Sequence, residues 1–295
     1  MKILKHRTNF DFMSVRKIAF AGSLALILLS IVMLVVRGLN FGLDFTGGTL
    51  IEVSLPGDAD TELVRSNLQA DGLSDAVVQT FGAASDIVVR VPPRSEEDSS
   101  AEISTLVLQA LQKGVEGEVV MRRVEFVGPQ VGDELAEQGI LAVVYALIGI
   151  FLYVMIRFQW RFSAGAVAAL VHDVIITMGI ISLLQVEFDL TVVAALLAVI
   201  GYSLNATIVV FDRIRENMGR GRTQLSEVID MSINQTMSRT IRTSITTLLV
   251  VVVLFIVNFG AASVLEGFAF VLIVGVLTGT YSSIFVASPM LLFLP

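Results

Sequence analysis

Two ionisable residues lie side by side in an apolar part of the sequence, at the start of the stretch HDVIIT. His172 and Asp173 fall near the middle of an apolar run at about residues 163–184. An ionised Asp at the centre of a membrane helix costs about 2.5–3.5 kcal/mol on insertion scales, so it should face a protein interior or water. There it either carries protons or ions, or it stays neutral and holds a neighbouring helix by a hydrogen bond. The residue types alone leave both roles open.

The stretch GYSLNATIVVFDRIREN, which begins at Gly201, brings further polar groups into an apolar run. Its small residues Gly201, Ser203 and Ala206 predict that a neighbouring helix approaches closely. Asn205 and Asp212 are seven residues apart and therefore share one face of a helix. In one interpretation Asn205 makes an interhelical hydrogen bond and the DRIREN end is solvated. In the other, these residues line an ion path.

Two glycine-containing motifs flank the polar region that follows the first apolar run. In FGLDFTGGT, Gly47 and Gly48 permit backbone geometries that other residues avoid, and Asp44 can hydrogen-bond to amides within a turn. In VEFVGPQVGDEL, Gly128 and Pro129 end one element before the next begins. By themselves, the two motifs predict tight connections, the first between a helix and a sheet and the second between a strand and a helix.

The composition is that of an integral membrane protein. Hydrophobic residues make up 55% of the chain and charged residues only 16%, with a mean hydropathy of +0.80. Soluble domains are about 45–50% apolar and about 25% charged. The absence of Cys excludes disulfides, thiolate metal sites and redox thiols. The net charge of -7 gives no support to a basic surface for nucleic acid.

Six apolar segments are long enough to cross a hydrocarbon core of about 30 Å, which takes about 20 residues. They lie near residues 18–36, 139–157, 163–184, 190–211, 241–259 and 266–291. The first follows a basic segment, residues 1–17, and no small-x-small cleavage site follows it, so it is predicted to be an uncleaved anchor. The last run stops abruptly at Pro295 without a basic tail, as a trimmed C-terminus would.

Residues 37–138, between the first two apolar segments, alternate between strand-like and helix-like patterns. Strands are predicted at 49–55, 76–82, 86–92 and 118–128, and helices at 58–72 and 100–114. The order β-α-β-β-α-β matches the split motif of ferredoxin-like domains. The predicted fold class is therefore a bundle of six transmembrane helices with an α+β ferredoxin-like domain, in which the stretch PPRSEEDSS forms a surface loop.

Among the short segments that flank the apolar runs, Lys and Arg occur only on alternate ones. The basic segments are residues 1–17, 157–162 and 212–240. The connections 185–189 and 259–265 contain neither Lys nor Arg. Because Lys and Arg in short loops mark the cytoplasmic side, we expect both termini and the 212–240 loop to be cytoplasmic and the α+β domain to be periplasmic.

One helix, an outer α+β domain and then five closely spaced helices form a layout that resembles half of a resistance-nodulation-division transporter. Such transporters contain two such halves, which are parallel repeats about an axis along the membrane normal. We therefore expect this chain to pair with a second half.

Six motifs together carry a closer resemblance, from about residue 10 to the end of the chain. They are FGLDFTGGT, VEFVGPQVGDEL, HDVIIT, GYSLNATIVVFDRIREN, SRTIRTSITTL and VLEGF. In type and order they resemble the SecF members of the SecD/SecF family, which take part in bacterial protein export. No single motif is sufficient, but the set is highly specific. Gly201, Ser203 and Arg213 belong to these motifs, as do the glycines named above.

The resemblance implies a protein of the bacterial inner membrane with a ferredoxin-like periplasmic domain. Its implied partners are a SecD-like subunit, the SecYEG channel, a translocating unfolded polypeptide and the surrounding membrane lipid, with no nucleic acid. It also implies that proton-motive force, or sodium in some members, helps to finish translocation after the ATPase SecA has pushed the chain across. No enzyme activity of its own, no metal and no cofactor are expected.

The resemblance also identifies a departure at position 206. The family motif usually reads Gly-Tyr-Ser-x-Asn-Asp, and its Asp is regarded as a proton carrier, whereas this chain has Ala206. A methyl group cannot bind a proton, and the Asn205 amide does not titrate at physiological pH. Three explanations stay open: a deliberate replacement that traps one state, a natural divergence with another carrier, or an error in the sequence.

The candidates for an ion relay are His172, Asp173, Asn205, Ala206, Asp212, Arg239 and Arg242. Arg239 opens the fifth span, where an Arg beside a carboxylate favours its charged form and can gate protonation. It also fits a positive-inside anchor. Arg242 lies one turn further in. If it enters the bundle it requires an anionic or carbonyl partner, for which Asp173 and Asp212 are the candidates to test.

Three functions remain compatible with these observations. The first is an export subunit in which ion movement drives swings of the outer domain, which holds or releases the emerging polypeptide. The second is a half-size efflux or lipid transporter of the same superfamily, although the domain at residues 37–138 is small for a drug pocket. The third is a purely scaffolding subunit of the translocase, which Ala206 favours because it removes the expected motor residue.

Overall fold

The structure, a computed structural model, describes residues 10–81, 83–93, 100–113, 117–219, 224–259 and 264–293. The main helices and strands are α1 Arg16–Val36, β1 Gly48–Ser54, α2 Thr61–Ala70, β2 Val77–Phe81, β3 Ala83–Val91, α3 Ser100–Gln112, β4 Val120–Val127, α4 Pro129–Arg157, α5 Trp160–Leu184, α6 Leu190–Met218, α7 Leu225–Asn258 and α8 Val264–Ser282. Short elements lie at Asn40–Phe41, Leu43–Thr46 and Glu187–Phe188. Beyond α8 the chain forms a π-helical segment, Ser283–Ala287, and a last α-helical turn, Ser288–Met290.

Six of the described helices are long and apolar enough to cross a membrane, which confirms the predicted number of spans. Several extend beyond the predicted limits. The prediction of a loop across 212–240 is wrong, because α6 continues to Met218 and α7 already begins at Leu225. The first turns of α7 are amphipathic, with Val228, Ile229 and Ile233 buried in the bundle core. The polar residues between them hide this part of the helix from a search for purely apolar runs.

The described residues fall into two compact units. The helical bundle comprises those within 1–40, 141–257 and 267–295, and the α+β unit comprises those within 41–140 and 258–266. The sheet of the α+β unit has the strand order β2-β3-β1-β4, and every neighbouring pair is antiparallel. This arrangement, with α2 and α3 as the two connecting helices, confirms the predicted ferredoxin-like domain.

The α+β unit has one core, between its sheet and its two helices. Successive residues of a strand point to opposite faces, and on β1 the inward residues Ile51 and Val53 are buried. They pack with Leu68 of α2 and Val107 of α3. Within the predicted surface loop PPRSEEDSS, residues 94–99 lie outside the described part of the chain.

The bundle has two main apolar clusters, and a polar layer separates them along three helices. On α5 the first cluster includes Phe162, Ala166 and Ala169, and the second includes Ile181. On α6 the second cluster ends at Val199 and the first resumes at Val210. On α8 the second cluster contains Val271, and the first begins again at Ile284 in the π-helical segment. The residues between these positions include the buried His172, Asp173, Ser203 and Ser282.

Small residues bring α8 close to α6. An added Cβ at Gly275 would overlap the side chain of Val199, which is fully buried. One turn later, a Cβ at Gly279 would lie 2.9 Å from Cβ of Ser203. Close approach through small residues is the usual way in which membrane helices gain packing contacts. This approach places the next turn of α8 beside the polar residues of α6.

Replacing Gly275 by Ala is expected to lower the free energy of unfolding by about 1–3 kcal/mol, the usual cost of overpacking. Val199→Ala in the same chain should recover part of this loss, because it removes the two methyl groups nearest to the new Cβ while the Cβ of residue 199 remains. Detergent titration of the purified chain, followed by circular dichroism, measures both changes. Gly22→Ala is the matched control, since a Cβ there meets no atom within 4 Å. An equal effect of the two glycine substitutions would contradict the packing.

Candidate functional site

The centre of the bundle contains a carboxylate that is almost completely buried. Asp173 on α5 is 1% exposed. Ser203 Oγ on α6 donates to its Oδ2 at 2.5 Å, and Ser282 Oγ on α8 donates to the same oxygen at 2.7 Å. Nδ1 of His172 lies 2.9 Å from Oδ1. Three helices therefore meet at one carboxyl group, in a group of residues that we call the Asp173 centre: Asp173, His172, Ser203 and Ser282.

The second ring nitrogen of His172 has no partner among the described residues. His172 is 2% exposed, and its Nε2 is buried. Its ring stacks on Tyr281 of α8, with centroids 6.0 Å apart and an angle of 25° between the planes. The Tyr281 hydroxyl donates to the carbonyl oxygen of Ala19 on α1 at 3.1 Å and lies 3.1 Å from Ser23 Oγ. One nitrogen of the imidazole thus faces the carboxyl group, while the other is buried without a hydrogen-bond partner in the described part of the chain.

Local packing explains how Ser282 reaches Asp173. Gly279 allows α8 to lie against Ser203, and Ser282 follows on the next turn. Immediately afterwards the helix widens into the π-helical segment, which packs on α5 where Gly165 leaves room for the carbonyl oxygen of Ala287. Single π-helical turns inside α-helices occur frequently at functional sites. The π-helical segment therefore begins directly after Ser282, the residue that α8 contributes to the Asp173 centre.

A second set of hydroxyls crosses the bundle beside this centre. The Tyr202 hydroxyl on α6 donates to Ser244 Oγ on α7 at 2.9 Å. Ser244 Oγ lies 2.7 Å from Thr280 Oγ1 on α8. Because Tyr202 and Ser203 are neighbours in sequence, α6 contributes to both sets with adjacent residues that leave the helix in different directions.

Three of the sequence candidates lie together at a small cavity of about 40 Å³ between α6 and α7. Its lining is Tyr202, Asn205, Ala206, Val209, Arg239, Thr240, Thr243 and Ser244. Asn205 and Arg239 are exposed, whereas Ala206 is half-buried. The predicted interhelical hydrogen bond of Asn205 is not found among the described residues. The cavity contains the guanidinium of Arg239, and Ala206 adds no titratable group to it.

The charged candidates near the bundle end do not join the Asp173 centre. Arg242 is exposed, and its Nε donates to the carbonyl oxygen of Ser238 at 2.9 Å, one turn earlier on α7. Because Arg242 does not enter the bundle core, neither Asp173 nor Asp212 is its partner among the described residues, and a carbonyl of its own helix supplies the acceptor. The side chain of Asp212 is 61% exposed and lies 3.5 Å from Arg157.

The remaining motif residues occupy structural positions. Arg213 pairs with Glu216 on the same helix at 2.8 Å. Gly201 is exposed, and an added Cβ there would meet no atom within 4 Å. The prediction that Gly201 allows close helix approach is therefore wrong for contacts within this chain. Ser203 does fulfil that prediction, because its small side chain admits Gly279.

The two glycine motifs meet in the α+β unit. Asp44 lies in the helical turn Leu43–Thr46, and Gly47 follows with a φ of 65°. An added Cβ at Gly47 would lie 3.0 Å from Cα of Pro129, and Gly48 has a φ of 114°. Pro129 is the first residue of α4, a position that suits its fixed φ, and Gly128 accepts a hydrogen bond from the Gly132 amide at 3.0 Å. The two predicted connections thus form a single joint.

The sequence did not predict Ser282, a member of the Asp173 centre, or Tyr281, which stacks on His172. Both lie in the sixth apolar run, which contains several small hydroxyl residues. The spacing of Ser282 and Tyr281 in the sequence does not distinguish them from hydroxyl residues that bond to their own helix, such as Thr278 and Ser283. The signal that could have identified them is a set of polar residues that lie at similar depths on successive helices, each between two apolar clusters.

Two family models match this chain. Protein export membrane protein SecD/SecF, C-terminal, matches residues 107–295, and SecD/SecF GG Motif matches residues 32–55. Several relatives are named Protein translocase subunit SecF. The one from Vibrio alginolyticus is 51% identical to this chain, over 99% of this chain and 91% of the relative. The one from Pseudomonas aeruginosa is 50% identical over 97% of this chain and 92% of the relative. The one from Escherichia coli O157:H7 is 46% identical over 97% of this chain and 88% of the relative.

Solved structures of SecDF also share the fold of this chain. The crystal structure of SecDF, a translocon-associated membrane protein from Thermus thermophilus, superposes with a TM-score of 0.85 and 36% identity over 99% of this chain. SecDF in a super-membrane-facing form gives a TM-score of 0.71 and 37% identity over the same share. This chain spans 39% of the length of each SecDF chain. The family models, the near full-length relatives and the shared fold together establish that this chain belongs to the SecD/SecF family of protein-export membrane proteins.

Proposed function

We propose that this chain is a SecF-type subunit that promotes the late steps of protein export. It works with a SecD-like subunit beside the SecYEG channel and acts on unfolded polypeptides, at the expense of the ion-motive force. The observation that carries the proposal is the near full-length similarity to several proteins named Protein translocase subunit SecF. In this role the chain binds and moves polypeptide and performs no bond chemistry of its own.

A separate membrane subunit completes the assembly. This chain matches 39% of a SecDF chain but 91% of a relative that is named as a single subunit, which supports a second, SecD-like subunit. An exposed polar strip on α6 and α7 supports this, because Asn205, Arg239 and Arg242 are exposed on spans that lipid would otherwise cover. Ionisable groups of membrane spans normally face protein or water rather than hydrocarbon. Gly201 lies on the same helix and leaves room for close approach of that partner.

The chain belongs in the cytoplasmic membrane of a bacterium, with both termini inside and the α+β unit outside. The distribution of Lys and Arg supports this orientation. In it the α+β unit faces polypeptide that has already crossed the membrane, which is where a subunit that prevents backsliding has to act.

Complementation tests the function and the part played by position 206. In a bacterial strain depleted of its own SecF, and with a SecD-like partner co-expressed, we expect this chain to restore export. We expect Ala206→Asp to raise proton-dependent export by roughly tenfold, which is less than the roughly 100-fold minimum that a positioned proton-transfer group contributes to a chemical step. The added carboxyl shares the cavity with Arg239. Cleavage of the signal peptide of an exported reporter, with and without an uncoupler, measures the effect.

Three outcomes separate the alternatives. If neither version complements and neither co-purifies with the SecD-like subunit, the export assignment is wrong. Equal, uncoupler-sensitive export by both versions would show that Ala206 is not a defect and that the relay lies elsewhere. Equal export that ignores the uncoupler would favour a scaffolding role, and transport of small molecules by the lone chain would favour the efflux alternative.

A further inference from the structure

We propose that the Asp173 centre is a proton-binding site in which His172 transfers the proton and the Ser203 and Ser282 hydroxyls respond to the charge of the carboxyl group. Only the use of the bound proton to drive export rests on the proposed function. Proton binding by the Asp173 centre can be measured on this chain without an export assay. The titrating group thereby lies on the buried side of α6, away from the cavity that contains Ala206.

The hydrogen bonds of Asp173 depend on its charge. A charged carboxylate accepts from both serine hydroxyls and from His172, whereas a neutral carboxyl group carries one O–H that must itself donate. Uptake of a proton at Oδ1 therefore reverses the bond to His172, and the two serine hydroxyls then bond to a neutral oxygen, Oδ2, which is a weaker acceptor than a charged one. The serine bonds connect α5 to α6 and to α8, so the charge of one group controls contacts among three helices.

Few other ionisable groups face this site among the described residues. On its own helix the neighbour is His172, and on α8 it is Tyr281, which stacks on the imidazole. From α6 the contact is the Ser203 hydroxyl, and from α1 the contacts are to Tyr281 rather than to the carboxyl group. No charged group of α7 lies within hydrogen-bond distance of Asp173 in the described part of the chain. In the described part of the chain, the ionisable side chains in contact with this pair are therefore limited to Tyr281.

The unpaired nitrogen of His172 identifies the route of the proton. While Asp173 is charged, Nδ1 carries the hydrogen that is donated to Oδ1, so Nε2 is an acceptor without a partner. A proton that binds Nε2 allows Nδ1 to pass its own proton to Oδ1. The pair has then gained one proton: Asp173 is neutral and donates to Nδ1, and His172 is neutral again with its hydrogen on Nε2. Release follows the same steps in reverse.

Buried hydroxyls extend the site along the bundle in both directions. Thr177 lies four residues after Asp173 on α5, and Thr207 lies four residues after Ser203 on α6, which is about 6 Å along each helix. Consecutive helices joined by a short connection run in opposite directions, so these threonines lie on opposite sides of the carboxyl group. Each Oγ1 is buried without a hydrogen-bond partner in the described residues. Water is the usual partner of such groups, so they mark a path by which protons reach and leave His172.

Infrared difference spectroscopy between acidic and alkaline pH tests proton binding, with the full chain in lipid nanodiscs. We expect the unmodified chain to show the C=O stretch of a buried, protonated carboxyl group at acidic pH and to lose it at alkaline pH. Asp173→Asn should abolish this band. Asp58→Asn should leave it intact, because it removes an exposed carboxyl group of the α+β unit. Asp173→Glu should move the band rather than remove it, since it retains a carboxyl group at the site.

A second variant tests the role of His172. Gln in its place can still donate to Oδ1 but cannot exchange one proton for another across its side chain. We expect His172→Gln to retain the carboxyl band and to slow its hydrogen–deuterium exchange by roughly 100-fold. An unchanged exchange rate would remove His172 from the route and overturn that part of the proposal.

The proton-binding assignment itself is overturned by either of two results. One is the absence of a pH-dependent buried carboxyl band from the unmodified chain. The other is a band that persists in Asp173→Asn when circular dichroism shows that this variant is folded. Neither result depends on export, so the two proposals fail separately. A chain that shows the band but does not complement contradicts the export function alone, and a chain that complements without the band contradicts only the proton site.

Discussion

Replacing Asp173 by Leu is expected to lower the free energy of unfolding of this chain by about 3–5 kcal/mol, because it leaves three buried donors unpaired and each costs about 1–3 kcal/mol. Leu has a similar size but cannot accept a hydrogen bond. The substitution would leave the Ser203 and Ser282 hydroxyls and Nδ1 of His172 buried without the group to which they bond. Each unpaired buried group adds its own desolvation cost. Detergent titration of the purified chain, followed by circular dichroism, measures the loss.

Asp212→Leu is the control for this experiment. It makes the same chemical change on a side chain that is 61% exposed and whose contact with Arg157 spans 3.5 Å. Exposed ion pairs contribute about 0–1 kcal/mol, so the control should stay close to the unmodified chain. If the two leucine variants unfolded at the same detergent fraction, the three contacts of Asp173 would not stabilise the folded state. The prediction would then be wrong, whatever the effect on export.

Gly48→Ala is expected to have the second large effect, which is confined to the α+β unit. The residue has a φ of 114°, where an L side chain is strained by about 1–3 kcal/mol. Its added Cβ would also overlap the carbonyl oxygen of Val91 on the neighbouring strand, and overpacking costs about 1–3 kcal/mol more. Because the obstacle is backbone, no side-chain rotation relieves it. Faster amide hydrogen exchange in β1 and β3 of the full chain measures the change.

Gly57→Ala is the matched control for Gly48. It lies in the same unit, shows no positive φ, and has no atom within 4 Å of an added Cβ. We expect its amide exchange to match the unmodified chain. Equal acceleration by the two substitutions would mean that the backbone at Gly48 is not specially constrained. Loss of protection in the helical bundle as well would mean that the joint with Gly47 and Pro129 affects more than its own unit.

Much of the architecture was predictable because its determinants are local in sequence. A membrane span needs about 20 apolar residues, and this requirement located all six. The alternation of TLIEVSL and the helical spacing of the next segment predicted the order of the α+β unit, which the strand order confirms. The errors arose where one helix changes character along its length. The start of α7 is amphipathic, so its buried residues Val228 and Ile229 do not form an apolar run.

The candidate site was only partly predictable. The position of His172 and Asp173 within an apolar run was sufficient to mark them as unusual. Their partner Ser203 was noticed for its size rather than for its hydroxyl group. Ser282 was not noticed, because α8 is apolar on all sides and its periodicity does not show which face points inward. A serine on such a helix has many possible orientations until its neighbours are known.

By itself the sequence determined the membrane class, the number of spans, the ferredoxin-like order and the lack of a titratable side chain at Ala206, because each depends on residue types or on local periodicity. Only the tertiary structure decided that polar residues of α5, α6 and α8 meet at Asp173, while Asn205 and Arg239 lie at a separate cavity. The physical reason is the close approach of α8 to α6 at Gly275 and Gly279, which sets the rotation of α8 and brings Ser282 to the carboxyl group. Contacts between distant segments depend on how helices pack, and no local pattern encodes that.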